Sequence, residues 1–99
     1  MPHDPTLNPT DILAALGVAD VNAIQAVHGG FDTSIWQVEH GSQTSALRVF
    51  RAEQAAVCQR EIAAIDLAQQ AHVPAPQIRM HGTWQNRPAL LMSWSPGIP

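Results

Sequence analysis

Apolar and polar positions change their period several times along this chain, and each change marks an element. Ile12, Leu13 and Leu16 recur at helical spacing just after Asn8-Pro9-Thr10-Asp11. Asn8 suits an N-cap, Pro9 the first helical position and Asp11 the positive end of the helix dipole, so a short packing helix is predicted, closed by Gly17. From Asn22 to His28 apolar and polar residues mix, and the run stops at Gly29-Gly30, which reads as a strand entering a tight loop. Ser34 to His40 alternates, with Ser34, Trp36, Val38 and His40 on one face and Ile35, Gln37 and Glu39 on the other. Gly41-Ser42-Gln43 is a hairpin returning the chain into Ser45-Ala46-Leu47-Arg48-Val49-Phe50, where Ala46, Arg48 and Phe50 share one face and Leu47 and Val49 the other.

A long helical pattern then runs from about Ala52 or Glu53 to about His72. It is alanine-rich, lacks internal glycine or proline, and is stopped by Val73-Pro74-Ala75-Pro76. Two further strands are predicted, about Gln77 to Gly82 and Ala89 to Trp94, joined by a polar turn holding Asn86 and Arg87. The unbroken apolar run Ala89-Leu90-Leu91-Met92 suits a strand covered on both faces. The expected fold class is α+β, a five-stranded antiparallel sheet with one long covering helix and a short N-terminal helix. Residues 1–8 read as a flexible tail, 9–94 as one lobe and 95–99 as a linker.

Composition narrows the partners. With 45% hydrophobic residues the 99-residue chain has material for a modest core. A formal charge of −3, with five scattered arginines and no lysine, forms no basic patch, so nucleic-acid binding is not expected. Cys58 has no partner for a disulfide and suits a small buried apolar position. No stretch is long enough to span a bilayer, and Met1-Pro2-His3-Asp4-Pro5 lacks the features of a signal peptide, so a cytoplasmic protein without membrane contact is expected.

The candidate chemistry lies in Arg48 and Glu61. Arg48 is a charge set in an apolar strand, while Cys58, Glu61, Ile62, Ile65 and Ala68 recur at spacings of three and four, which puts Glu61 on the apolar stripe of its helix. A carboxylate there needs a cation or must neutralise. Two arrangements are open: the residues face each other at a cleft, or Arg48 lies at a sheet edge and Glu61 ends in solvent. Gly29-Gly30 is equally ambiguous, since paired glycines make ordinary hairpin turns and also leave amides free to approach an anion. His28, His40, His72 and His81 lack metal-ligand spacing and read as surface or capping residues, and Trp36, Trp84 and Trp94 as packing residues.

These motifs in this order resemble the N-terminal lobe of the aminoglycoside phosphotransferase and choline kinase family, which has a protein-kinase-like fold. The resemblance spans about residues 20–99. It is carried by Gly29, Gly30, Thr33, Trp36 and Val38, by Ala46-Leu47-Arg48, by Arg60-Glu61, by Val73-Pro74-Ala75-Pro76, and by Leu90-Leu91-Met92-Ser93 with Gly97. It implies an ATP or GTP site with Mg2+. Val38 and Ala46 would roof the base and Met92 would back it. The Ser93 carbonyl and Ser95 amide would bond the base edge, with Trp94 bordering the pocket. Gly29 and Gly30, the backbone amides from Gly30 through Thr33 to Ser34, and Arg48 braced by Glu61 would hold the phosphates.

The family's catalytic loop, HxDxxxxN, and its later metal-binding aspartate do not occur in these residues. The resemblance therefore implies the nucleotide-binding lobe of a small-molecule O-phosphotransferase, truncated before the catalytic lobe and inactive alone. Its acceptor would be a hydroxylated amine, sugar or antibiotic. The alternative is a binding module that packs its open cleft face on a partner or on a second copy.

Overall fold

In the computed structural model, which describes residues 7–27 and 34–94, two helices and five strands alternate as the sequence pattern predicts. They are α1 (Pro9–Ala15), β1 (Val21–Val27), β2 (Ser34–His40), β3 (Gln43–Val49), α2 (Ala55–Gln70), β4 (Ile78–Trp84) and β5 (Arg87–Ser93). A short 3-10 turn, Ala52–Gln54, leads into α2. The strands form one sheet in the order β1-β2-β3-β5-β4, every neighbouring pair antiparallel. The expected α+β class is thus observed. No helix among the described residues is long and apolar enough to cross a membrane.

Both helix ends follow from local chemistry. Asn8 accepts hydrogen bonds from the amides of Thr10 and Asp11 through its side-chain oxygen, satisfying donors that the first turn leaves open. Leu7 just before it and Ile12 in the first full turn lie in the same core cluster, the hydrophobic-staple arrangement. Leu7 is therefore not part of a flexible tail as expected: it is only 8% exposed, because the staple needs it. At the other end Gly17 takes φ +82, and the amides of Gly17 and Val18 close onto the carbonyls of Ala14 and Leu13, a Schellman cap. The helix α2 ends in the same motif. His72 takes φ +59, the amides of His72 and Val73 bond the carbonyls of Gln69 and Ala68, and Pro74 prevents continuation.

Two-residue turns set the register. Gly41, at φ +58, heads the β2–β3 turn, and His40 pairs with Gln43 across it. Gln85 and Asn86, both at positive φ, make the β4–β5 turn, and Trp84 pairs with Arg87. That hairpin is longer than predicted. Arg87, expected in the turn, is the first residue of β5, because two left-handed residues complete a tight turn that matches strand twist.

The sheet separates two cores. On one face α1 covers Trp36, Val38, Leu47, Val49, Ala89 and Leu91, with Leu7, Ile12 and Leu13. On the other, α2 covers Phe50, Leu90 and Met92, with Cys58 from the helix and Ala46, Val57, Ile62, Ile65 and Ile78 at its margin. The run Ala89-Leu90-Leu91-Met92 is buried throughout, since odd and even residues enter different cores. In β4 the alternation breaks. Ile78 and Met80 pair with adjacent β5 residues, Met92 and Leu91, so the extra residue, Arg79, sits in a bulge.

The two caps predict opposite responses. A Cβ at Gly17 would meet only ordinary contact, the Met80 methyl at 3.6 Å, so Gly17→Ala should cost about 1 kcal/mol for its left-handed backbone alone. His72→Gly relieves the same strain and should stabilise by up to about 1 kcal/mol. Urea midpoints moving in opposite directions would bear this out; a Gly17→Ala protein as stable as the parent would not.

Candidate functional site

Arg48 stands on β3, the central strand, on the face that α2 covers. One turn of α2 brings Glu61 to it, and the Nη1 of Arg48 donates to the Oε2 of Glu61 at 2.6 Å. The guanidinium carbon also lies 4.8 Å from the centre of the Phe50 ring, two residues along the same strand face. The pair arises for the reason legible in the sequence: an arginine in an apolar strand and a carboxylate on an apolar helix stripe offset one another's desolvation. Of the two arrangements the sequence left open, the facing one is found.

The pair's value is positional. The side chains are 22% and 35% exposed, so solvent screens the contact and its net stabilisation is about 1 kcal/mol or less. What it does is hold a permanent cation in one place. The Nε of Arg48 is closed off from solvent and has no hydrogen-bond partner, so contacts with Phe50 and Glu61, rather than a full set of hydrogen bonds, orient the fork.

Cross-strand register decides which other residues share this face. Directly paired residues of an antiparallel ladder lie side by side. Ala46 pairs with Met92 on one side and with Gln37 on the other, and Arg48 pairs with Leu90 and with Ile35. Ala46 and Met92 are therefore together near Arg48. Val38 is not. It pairs with Ser45, is fully buried, and belongs to the core under α1, on the opposite side of the sheet from Ala46. A roof formed by Val38 with Ala46 is thereby corrected; Ile35, across from Arg48, occupies the β2 position of that face. Sequence reasoning missed Ile35, which only the pairing of β2 with β3 sets opposite Arg48.

Ser93 ends β5, where its amide donates to the Gln77 carbonyl and its hydroxyl accepts from the Gln77 amide at 2.9 Å. Ser34 opens β2, paired with Val49. Gly29, Gly30, Thr33 and Ser95 lie outside the described residues. Among the described residues no group of three His, Cys, Asp or Glu could hold a metal ion, so a set of Mg2+ ligands is not found in them.

Cys58 lies one turn before Glu61 and is buried in the α2 core. Burial pushes its thiol above the ordinary range, the Glu61 carboxylate adds to this, and the Arg48 charge opposes it. It therefore stays protonated and unreactive at neutral pH. The chain has neither lysine nor tyrosine, so Cys58 is the one side chain that titrates in the moderately alkaline range. Because its folded-state value is raised, its contribution to stability is complete below the unfolded thiol's value and is lost as pH climbs toward the folded one. Thermal midpoints should fall from about pH 8.5 upward, and Cys58→Ala should flatten that fall. A slope that survives the substitution would refute this assignment.

The arrangement can hold an anion: a fixed guanidinium, a carboxylate bracing it, and a small and a flexible apolar side chain beside it. The sequence model of the phosphotransferase enzyme family matches residues 23–99, spanning α2 and every strand but the first two residues of β1. Neither the curated proteins nor the solved structures contain a significant match. With a strand-borne cation braced by a helix carboxylate, and with the family match extending over most of its length, the chain belongs to the phosphotransferase enzyme family.

Proposed function

We propose that the α2 side of the sheet binds the triphosphate and base of ATP or GTP, as the nucleotide-holding part of a small-molecule phosphotransferase. The observation that carries the reading is the Arg48–Glu61 contact at 2.6 Å. A phosphate site needs a cation that neither wanders nor neutralises. Arginine stays charged at any working pH, and a carboxylate on one end of the fork with an aromatic ring against it limits its freedom. The Nη N–H groups that Glu61 does not use would then meet phosphate oxygens, which accept charge-assisted hydrogen bonds of the strong kind. Ala46, Ile35 and Met92 would offer the base a low, apolar surface.

Phosphoryl transfer rests on positioning and charge, but it also needs a group to orient the acceptor hydroxyl and take its proton. The HxDxxxxN motif that supplies such a group in this family is not in these residues. Their part is to bind and orient the nucleotide, while the acceptor site and proton acceptor belong to a second lobe. The same division leaves the metal ligands to that lobe.

The test is calorimetric titration of the 99-residue protein with Mg-ATP and Mg-GTP, alongside thermal melting. Binding should raise the melting midpoint with ligand concentration. Arg48→Ala should weaken it by about tenfold or more, and Glu61→Gln by several-fold, because the cation is kept but no longer braced. Equal affinity in the parent and in Arg48→Ala, or no binding at millimolar nucleotide, would overturn the reading.

A further inference from the structure

The α1 face of the sheet, opposite the Arg48–Glu61 pair, carries a cavity of about 440 Å3, broadly open to solvent, between the loop after α1, the ends of β2 and β3, and the start of β4. We infer that this cavity is a binding site for a small molecule carrying a carboxylate or phosphate, with Arg79 receiving the oxyanion. It is independent of the nucleotide reading and uses none of its residues.

The bulge in β4 places the arginine. Counting back from the Gln85-Asn86 turn, Trp84, Gly82 and Met80 follow the α1 face, while His81, paired with Leu90, follows the α2 face. Regular alternation would send Arg79 after His81. The extra residue between Ile78 and Met80 breaks that order, and Ile78, Arg79 and Met80 all line the cavity. The bulge thus brings a cation to the cavity's rim.

Arg79 also has hydrogen-bonding capacity that no protein group uses. It is half-buried, its Nε is closed off from solvent without a partner, and it makes no ion pair or side-chain hydrogen bond among the described residues. Arg48, Arg51 and Arg87, by contrast, each have a protein acceptor, and Arg60, which has none among the described residues, is exposed to solvent. Leaving an Nε–H closed off without an acceptor is costly, and in a chain of net charge −3 carboxylates are not scarce. None lines this cavity.

The remaining polar lining suits an anion with a polar body. His40 is anchored through its Nε2 to the Ser45 hydroxyl at 2.8 Å, and the Gln77 backbone is tied to Ser93, so both positions are held. The Gln43 and Gln77 amides supply donors and acceptors beside the arginine fork, whose geometry matches a carboxylate or phosphate. The volume lies within the range of small-molecule sites.

The probes are succinate and inorganic phosphate, titrated separately into the 99-residue protein under proton–nitrogen correlation NMR. Saturable shifts of the Arg79 Nε–H and of the Gly17 and Gln77 signals are expected with at least one probe, and the probe that binds identifies the oxyanion. Arg79→Gln should weaken binding by about tenfold or more, whereas Arg48→Ala should leave it unchanged. Gln43 is exposed, so Gln43→Glu will fold and should weaken binding by charge repulsion even if Arg79→Gln proves unstable. Absence of saturable shifts with both probes, or affinity indifferent to both cavity substitutions, would overturn the inference. Shifts confined to the surroundings of Arg48 would do so as well.

Discussion

A guanidinium on the central strand of a sheet covered on both faces is the constraint that orders this molecule. Arg48 is largely enclosed, only 22% exposed, and its strand neighbours Ala46 and Phe50 are apolar. Its charge is met by one carboxylate, which fixes how α2 is rotated on the sheet, because Glu61 must face inward. Once Glu61 faces inward, helical periodicity carries Cys58, Ile62 and Ile65 inward with it and closes the core over Phe50 and Leu90. The raised thiol of Cys58 follows from the same geometry, since it shares the burial and the negative neighbour.

Among the described residues the opposite face has no such charge pair and is closed by apolar packing with local caps. There α1, only two turns long, is held by an N-cap, a staple and a Schellman cap rather than by length. A helix this short would not persist without tertiary contact. Ser45, the one polar side chain fully buried among the described residues, is satisfied by His40, so a polar atom enters that core at little cost. The sheet thus separates a face built around an ion pair from one built around hydrocarbon, with a polar cavity at the latter's rim.

Two arginines illustrate how position converts one residue type into different chemistry. Arg48 is braced on two sides, which makes it a fixed cation suited to a ligand that arrives with its own charge. Arg79 lies in a bulge that lines a cavity and has no acceptor among the described residues. Arginine suits both positions because it cannot shed its proton to escape an unfavourable site.

The element order, the α+β class and the partnership of Arg48 with Glu61 were legible in the sequence, because each depends on short-range periodicity. Helical spacing placed Glu61 among apolar residues, strand alternation placed Arg48 beside Phe50, and desolvation then demanded that opposite charges meet. The family resemblance, carried by the same segments, agreed with the later match. Cross-strand register and its interruptions were decided by the tertiary structure alone. Val38 and Ala46 are each on a strand whose alternation is obvious, yet only the pairing of β2 with β3 shows that they point to opposite sides. The bulge at Arg79 has no local signature, since an inserted residue is recognised only against the strand beside it. Local periodicity records which residues share a face of one element; which faces of two elements coincide depends on a pairing between distant parts of the chain, and that is settled only when the chain folds.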